Sequence, residues 1–173
     1  FPSLQSPGSQ GEYPLVTDQL SDSALPVQVK EQVENPMIPG NLKDSAIPTA
    51  IYDFTVKNTG SSPTQVSLLA TQQNAVGYDG SGTIAGTNND TFSGYGANTN
   101  TVTSASGVTQ MRMVGGTGAG SMNLAMLAGN TTATASWTGN SSLFNAFSAN
   151  GSGSGGTSAQ SPAAQTTVEG ALA

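Results

Sequence analysis

The chain of 173 residues contains neither cysteine nor histidine. Without cysteine it can form no disulfide and has no thiol nucleophile, and without histidine it has no imidazole base. A Ser-His-Asp triad and an ordinary zinc site are excluded for the same reason. These absences exclude the commonest kinds of nucleophilic and metal-dependent active site.

Charge and long apolar segments are also scarce. Charged residues make up 8% of the chain and hydrophobic residues 35%. No segment approaches the ~18 consecutive apolar residues of a membrane-spanning helix. The four basic residues are too scattered to neutralise a phosphate backbone: Lys30, Lys43, Lys57 and Arg112. We therefore expect neither a transmembrane segment within these residues nor a nucleic-acid partner.

Small polar residues are abundant instead, with 22 Ser, 21 Thr, 13 Asn and 22 Gly. Between Thr91 and Ala173 only Arg112 and Glu169 are charged. Regular β-branched positions among these residues are typical of a β-rich protein rather than a disordered one. The sparsely charged, hydroxyl-rich composition favours an extracellular or cell-surface location.

Alternation of apolar and polar residues predicts several strands. It is clearest over residues 25–33 and 52–57, where one side of each strand is apolar. We expect the second of these to form a hairpin with residues 66–70. A second hairpin is expected between residues 123–128 and 131–137, because Gly129-Asn130 suits a two-residue turn. The predicted fold class is all-β, an antiparallel β-sandwich with one short helix and long Gly/Ser/Asn-rich loops.

Helical spacing occurs in one segment, about residues 140–149. Leu143, Phe144 and Phe147 share a helix face there, and Asn150-Gly151 supplies an end.

The crossover over residues 35–48 lies between the strands predicted over residues 25–33 and 52–57. It contains three prolines, which forbid a helix or a central strand. Its apolar residues are nonetheless expected to pack down: Met37, Ile38, Leu42 and Ile47.

Composition also predicts the domain organisation. Residues 1–11, with two prolines, two glycines and no alternation, are expected to be a flexible N-terminal tail. Residues 12–173 are expected to form a single β-sandwich domain, whether complete or lacking some of its strands. Within it, the glycine- and serine-rich residues 150–158 predict a mobile loop. Residues 83–101 predict a further exposed excursion, and residues 115–120 a turn.

No catalytic, cofactor-binding or metal-binding residue is predicted. A glycoside hydrolase needs two carboxylates about 5–10 Å apart. Glu31 and Glu34 flank the end of a predicted strand and Asp44 lies in the proline-rich segment, so any two of them could meet in the folded chain. Solvated surface charge is the favoured interpretation of all ten acids: Glu12, Asp18, Asp22, Glu31, Glu34, Asp44, Asp53, Asp79, Asp90 and Glu169. An oxygen-rich segment between Asp79 and Asp90 superficially suits calcium, but its spacing does not match an EF-hand loop.

Two further patterns leave alternatives open. Four aromatic residues can stack on a sugar ring, although a lone tryptophan in a strand is more often core: Tyr78, Phe92, Tyr95 and Trp137. Four segments match the N-glycosylation sequon, and several matches are expected by chance in such a composition: Asn89–Thr91, Asn130–Thr132, Asn140–Ser142 and Asn150–Ser152.

An ordered series of segments resembles one known family. It begins with Glu12-Tyr-Pro14 and Leu25-Pro-Val-Gln-Val29, and continues with Glu34-Asn-Pro-Met-Ile-Pro-Gly40 and Lys43-Asp-Ser-Ala-Ile-Pro48. Ile51-Tyr-Asp-Phe-Thr-Val-Lys-Asn58, Val66-Ser-Leu68 and Gln73-Asn-Ala-Val-Gly77 follow, and weaker matches extend towards Leu172. This series resembles the N-terminal β-sandwich domain of family 116 glycoside hydrolases, the family of non-lysosomal glucosylceramidases and bacterial β-glucosidases. In that family the catalytic carboxylates lie in a separate α-helical domain, so the resemblance implies no catalytic residue here.

Two functions follow as hypotheses. The first is a non-catalytic accessory domain of a β-glucosidase-like enzyme, with the enzyme's catalytic domain as its partner. The alternative is a secreted structural protein, the self-assembling subunit of a filament or surface layer. Its assembly is expected to use strand exchange, with Tyr13–Thr17 restricted to a sheet edge by Pro14 and a terminal segment donated to the next copy. Weak carbohydrate binding is a third possibility, and no cofactor is expected.

Overall fold

The computed structural model describes residues 4–78, 98–115, 120–137, 140–153, 155–160 and 169–173. The chain forms two compact units, Phe1–Gln65 and Val66–Ala173. Nearly all regular structure is β, which confirms the predicted all-β class. The expectation of a single domain over residues 12–173 stays a prediction.

The first unit is a four-stranded antiparallel sheet in which each strand pairs with the next along the chain. Its strands are β1 (Gln5–Glu12), β2 (Leu15–Ser21), β3 (Val27–Glu34) and β4 (Ile51–Asn58). The alternation predicted over residues 25–33 and 52–57 corresponds to β3 and β4. No described residue of this unit is buried; its side chains are half-buried or exposed.

The N-terminal segment differs from the expected tail. Gln5–Glu12 forms the edge strand β1, and its residues pair in register with β2 from Gly8↔Gln19 to Glu12↔Leu15. Composition misses this strand because backbone hydrogen bonds between strands do not require apolar alternation. Pro14 lies in the turn between β1 and β2. Because β2 has β1 on one side and β3 on the other, it is an interior strand and not the expected edge strand.

Hydrogen bonds organise the proline-rich crossover between β3 and β4. A one-turn helix, α1 (Leu42–Ser45), lies between its prolines, contrary to the expectation of no helix. The Asn41 side chain caps it by accepting from the Asp44 backbone N–H at 3.1 Å. The expectation that the apolar side chains pack down is wrong, since Leu42 is 88% exposed and Met37, Ile38 and Ile47 are also exposed.

The second unit contains two described sheets and one longer helix. The order of the first sheet is β10-β6-β7-β8 and that of the second is β5-β11-β9. The elements are β5 (Ala70–Gln73), β6 (Thr99–Ala105), β7 (Val108–Val114), β8 (Ser121–Met126), β9 (Ala133–Thr134), α2 (Asn140–Asn150), β10 (Ser158–Gln160) and β11 (Glu169–Leu172). All described pairings are antiparallel.

Strand β11 packs against β7 and β8, so the two sheets of this unit form a sandwich. Met111, Met113 and Leu172 are fully buried between them. Half-buried apolar residues surround this centre: Val102, Met122, Leu124, Met126 and Ala133. Methionine side chains are flexible enough to fill an irregular space between twisted sheets. The predicted β-sandwich is therefore present in this unit.

Both predicted hairpins are wrong in their pairing. Strand β4 pairs with β3, while residues 70–73 pair with β11. A turn does occur at Gly129-Asn130, but β8 pairs with β7 and β9 with β11. Turn residues allow a chain reversal, whereas the choice of partner strand depends on which faces can be buried together.

Helix α2 confirms the predicted helix and its end. Leu143 is buried, while Phe144 and Phe147 are half-buried. The helix ends where Gly151 adopts a φ of 69° and its N–H donates to the carbonyl of Phe147 at 2.6 Å. Among the described residues, neither helix is long and apolar enough to cross a membrane.

The described part of the expected mobile loop 150–158 makes several hydrogen bonds. The Gly153 N–H donates to the hydroxyl of Thr132 at 2.6 Å, and the Thr157 carbonyl accepts from the Val102 N–H at 2.7 Å. Ser158 already belongs to β10, which pairs with β6. Specific hydrogen bonds therefore hold these residues, although their composition is that of a flexible loop.

Candidate functional site

The acidic side chains described by the structure all lie in the first unit: Glu12, Asp18, Asp22, Glu31, Glu34, Asp44 and Asp53. Asp79 and Asp90, with the calcium-like segment between them, lie outside the described residues. Glu169 begins β11, and its side chain is likewise outside the description. Within the described residues, no group of three or more acids is placed to hold a metal ion.

The strand register decides which acids are neighbours. Glu31 and Glu34, which the sequence presents close together, lie three positions apart on β3 and therefore on opposite faces of the sheet. Asp44 is in α1, where it accepts a hydrogen bond from the Asn41 side-chain amide at 2.6 Å. Glu31 and Glu34 are therefore not assembled into a catalytic pair.

One face of the first sheet, the polar face, carries most of its charge. Across it, Glu12 pairs with Leu15, and Leu15 pairs with Glu34. Two strand spacings separate the two glutamates, so their Cα atoms lie about 10 Å apart. The Lys30 ammonium on this face donates to the Gln32 side chain at 2.8 Å. The arrangement is that of a solvated charged surface.

The opposite face, called the apolar face below, has a different composition. It carries eight large side chains from β2, β3 and β4: Val16, Leu20, Val27, Val29, Val33, Tyr52, Phe54 and Val56. None of them is buried, and Tyr52 is 59% exposed. Apolar side chains gathered on one exposed sheet face commonly mark an interaction surface.

Two carboxylates lie within the apolar face. Asp18 on β2 is directly opposite Glu31 on β3, and Phe54 is the next residue across, on β4. Directly opposite residues have Cβ atoms about 4.5–5.5 Å apart, and like charges at this spacing destabilise the sheet. No basic residue of β1–β4 lies on this face, because Lys30 and Lys57 are both on the polar face. This carboxylate couple is therefore uncompensated by the sheet that carries it.

A groove of about 380 Å³ lies at the β1–β2 turn and reaches the apolar face. It is lined mainly by apolar groups, among them Tyr13, Pro14 and Val16, and Glu12 and Glu34 also line it. Gly11 leaves room in it, since a Cβ added there would meet only Val16, at 4.0 Å. Val16 and Val33 precede and follow the carboxylate couple by two positions, which is about 7 Å along the strands.

The second unit has a buried polar cluster that sequence reasoning missed, the asparagine cluster. Asn74, Asn98 and Asn100 are all fully buried. The Asn74 amide donates to the Asn100 side chain at 3.0 Å and to the Val114 carbonyl at 3.1 Å. The Asn98 amide donates to the Asn74 side chain at 3.1 Å.

Hydrogen bonds from this cluster connect the two sheets of the second unit. The Asn100 amide on β6 donates to the Ala135 carbonyl, next to β9, at 3.0 Å. Asn74 and Asn98 thus join the end of β5 to the start of β6, and Asn100 joins β6 to the other sheet. These hydrogen bonds connect strands of the chain, so they stabilise the sandwich.

The remaining sequence candidates are not assembled into a site in the described residues. Trp137 and Tyr78 are half-buried, while Phe92, Tyr95, the sequon Asn89–Thr91 and residues 116–119 lie outside the description. Asn130 is exposed in a turn, and the exposed Asn150 accepts from the Ser152 hydroxyl at 2.8 Å. The side chain of Asn140 is outside the description.

The antiparallel sheets of the described residues define an all-β domain. Residues 8–173 match the family described as beta-glucosidase 2, glycosyl-hydrolase family 116 N-term. The chain belongs to this family, as the resemblance carried by its segments predicted. No curated protein matches it.

Proposed function

We propose that the chain is a non-catalytic accessory domain of a β-glucosidase-like enzyme. The observation that carries the proposal is the family match, which covers residues 8–173 and concerns an N-terminal domain. The placement of the described carboxylates supports it, since none is buried and they lie on sheet faces, in a turn or in α1. An active site typically has several convergent polar groups in its lining. The groove at the β1–β2 turn differs, because its lining is mainly apolar.

Turnover of an aryl β-glucoside by the purified chain tests this proposal. We expect no release of the aryl alcohol above the rate of a protein-free blank. One competing arrangement is the carboxylate couple Asp18 and Glu31, which lie directly opposite each other on neighbouring strands, whereas a retaining glycosidase has its two carboxyl groups about 5 Å apart. Asp18→Asn/Glu31→Gln tests this couple, and Glu12→Gln/Glu34→Gln, with the same change in charge, tests the two glutamates that line the groove.

The two variants make the outcome decisive. Turnover by the parent chain that either double variant abolishes would contradict a non-catalytic role. Absence of turnover in all three proteins agrees with it.

The filament alternative gains no support from the described residues. Its proposed donor, the N-terminal segment, pairs with β2 of its own chain through Gln5–Glu12. Self-association and an extracellular location stay predictions, supported by composition alone.

A further inference from the structure

We propose that Met122 and Met126, called the outer pair below, are oxidation sites through which a peroxide loosens the sandwich of the second unit. Their oxidation gives the peroxide access to Met111 and Met113, the inner pair. The chain has five methionines and no cysteine, so thioethers are its only oxidisable sulfur groups. Oxidation at these sites changes stability and not turnover, and is therefore independent of the proposed accessory function.

The strand register places both pairs on one face of a single sheet. Met113 on β7 is directly opposite Met122 on β8, and Met111 and Met126 lie an even number of residues further along their strands. This face packs against β11, whose Leu172 belongs to the same buried cluster. Every residue of the cluster belongs to the second unit. Oxidation of these sulfur atoms therefore acts on the core of that unit.

The two pairs differ in how closely the second unit covers them. Met111 and Met113 are fully buried, whereas Met122 and Met126 are half-buried. Strand β7 lies between β6 and β8, while β8 is the last strand of the described sheet. The Met111 sulfur also occupies the space that a Cβ at Gly170 of β11 would need, which leaves little room for an added oxygen. A peroxide therefore reaches the outer pair first.

Each oxidation is the transfer of one oxygen atom. The thioether sulfur attacks one oxygen of hydrogen peroxide, the O–O bond breaks, and a sulfoxide and one molecule of water are formed. The sulfur is oxidised and the peroxide is reduced, so no other reactant is needed. Reductases specific for the two sulfoxide epimers reverse the change. The modification is therefore a reversible replacement of an apolar group by a polar one.

A sulfoxide on the outer pair places this polar group at the boundary of an apolar core. A polar group that is buried without a hydrogen bond destabilises the folded state. The second unit then opens more often, and the inner pair reacts in the open form. Oxidation of the outer pair should therefore accelerate oxidation of the inner pair, which reacts after a lag.

Hydrogen peroxide treatment of the whole chain, followed by mass spectrometry of its peptides, tests the proposal. The outer pair should at first be oxidised about tenfold faster than the inner pair. Once the outer pair has reacted, oxidation of the inner pair should accelerate about tenfold, the factor that 1.4 kcal/mol in the free energy of opening produces. The melting temperature of the parent chain should fall while the inner pair is still reduced.

Matched variants assign the acceleration. Met122→Leu/Met126→Leu keeps the side-chain volume and removes both outer sulfur atoms, so the inner pair should react at its slow initial rate throughout. Met37→Leu removes the remaining methionine, in the proline-rich crossover of the first unit, and should leave the lag and the acceleration unchanged.

Four results would overturn the proposal. Three concern the rates: equal initial rates for the two pairs, an inner-pair rate that does not change after the outer pair has reacted, or an acceleration that persists in Met122→Leu/Met126→Leu. The fourth is a melting temperature of the parent chain that oxidation of the outer pair leaves unchanged, a measurement that requires no variant. None of these readouts involves glucoside turnover.

Discussion

At the scale of single residues, polar side chains explain features that hydrophobic patterning does not. Asn41 caps α1, and the asparagine cluster satisfies backbone carbonyls at the join between two sheets. A buried amide is favourable only while its hydrogen bonds are made, because the desolvated groups of a broken network have no access to water. Such residues are therefore sensitive positions in this chain.

Asn100→Leu should destabilise the chain by about 2–3 kcal/mol. The substitution leaves the buried Ala135 carbonyl without its donor and the Asn74 amide without one acceptor. Urea unfolding followed by tryptophan fluorescence measures the change through Trp137. The control is Asn123→Leu, on the exposed side of β8, for which a change within about 0.5 kcal/mol is expected. Equal effects of the two substitutions would show that the cluster does not stabilise the fold.

At the scale of elements, local signals predict where an element ends better than what it pairs with. Asn150-Gly151 ends α2 as its composition predicts. Ser106 and Gly107 both have positive φ and form the turn between β6 and β7. This hairpin is not among those predicted from the sequence. Turn chemistry thus predicts local backbone geometry reliably.

Gly151→Ala should destabilise the second unit by about 1–3 kcal/mol. Its φ of 69° disfavours any side chain, and an added Cβ would overlap the side chain of Ser67. Thermal unfolding by circular dichroism measures the loss. Gly129→Ala is the control, because a Cβ there would meet nothing within 4 Å. Adding Ser67→Gly to Gly151→Ala should recover part of the loss; no recovery would mean that the overlap is not a cause.

At the scale of the whole molecule, burial differs between the two units. The second unit has a core centred on Met111, Met113 and Leu172, whereas no described residue of the first unit is buried. Regions with few buried apolar side chains open locally at a lower free energy. The two units should therefore differ in dynamics.

Amide hydrogen exchange should be faster in β2–β3 than in β6–β7. We expect a difference of about 30-fold, which corresponds to roughly 2 kcal/mol in the free energy of local opening. Exchange followed by mass spectrometry on peptides of the intact chain measures it. Equal protection of both strand pairs in the chain would contradict the expectation.

The sequence alone determined the all-β class, strands β3 and β4, helix α2 and the family. Alternation and helical spacing are local properties, so residues 25–33, 52–57 and 140–149 carried enough information by themselves. The family resemblance depended on ordered segments such as Glu34–Gly40, which are likewise read directly from the chain. Exclusions based on missing cysteine and histidine also needed no structure.

Only the tertiary structure decided which strands pair and which acids meet. Asp18 and Glu31 are 13 positions apart in the sequence, and become neighbours because the register of β2 with β3 places them opposite each other. Glu31 and Glu34, only three positions apart in the sequence, lie on opposite faces of the sheet. Pairing depends on burying faces that lie far apart along the chain, a long-range free energy that no local pattern contains. For that reason the hairpins predicted from turns were wrong, while the carboxylate couple and the asparagine cluster emerged only from the folded chain.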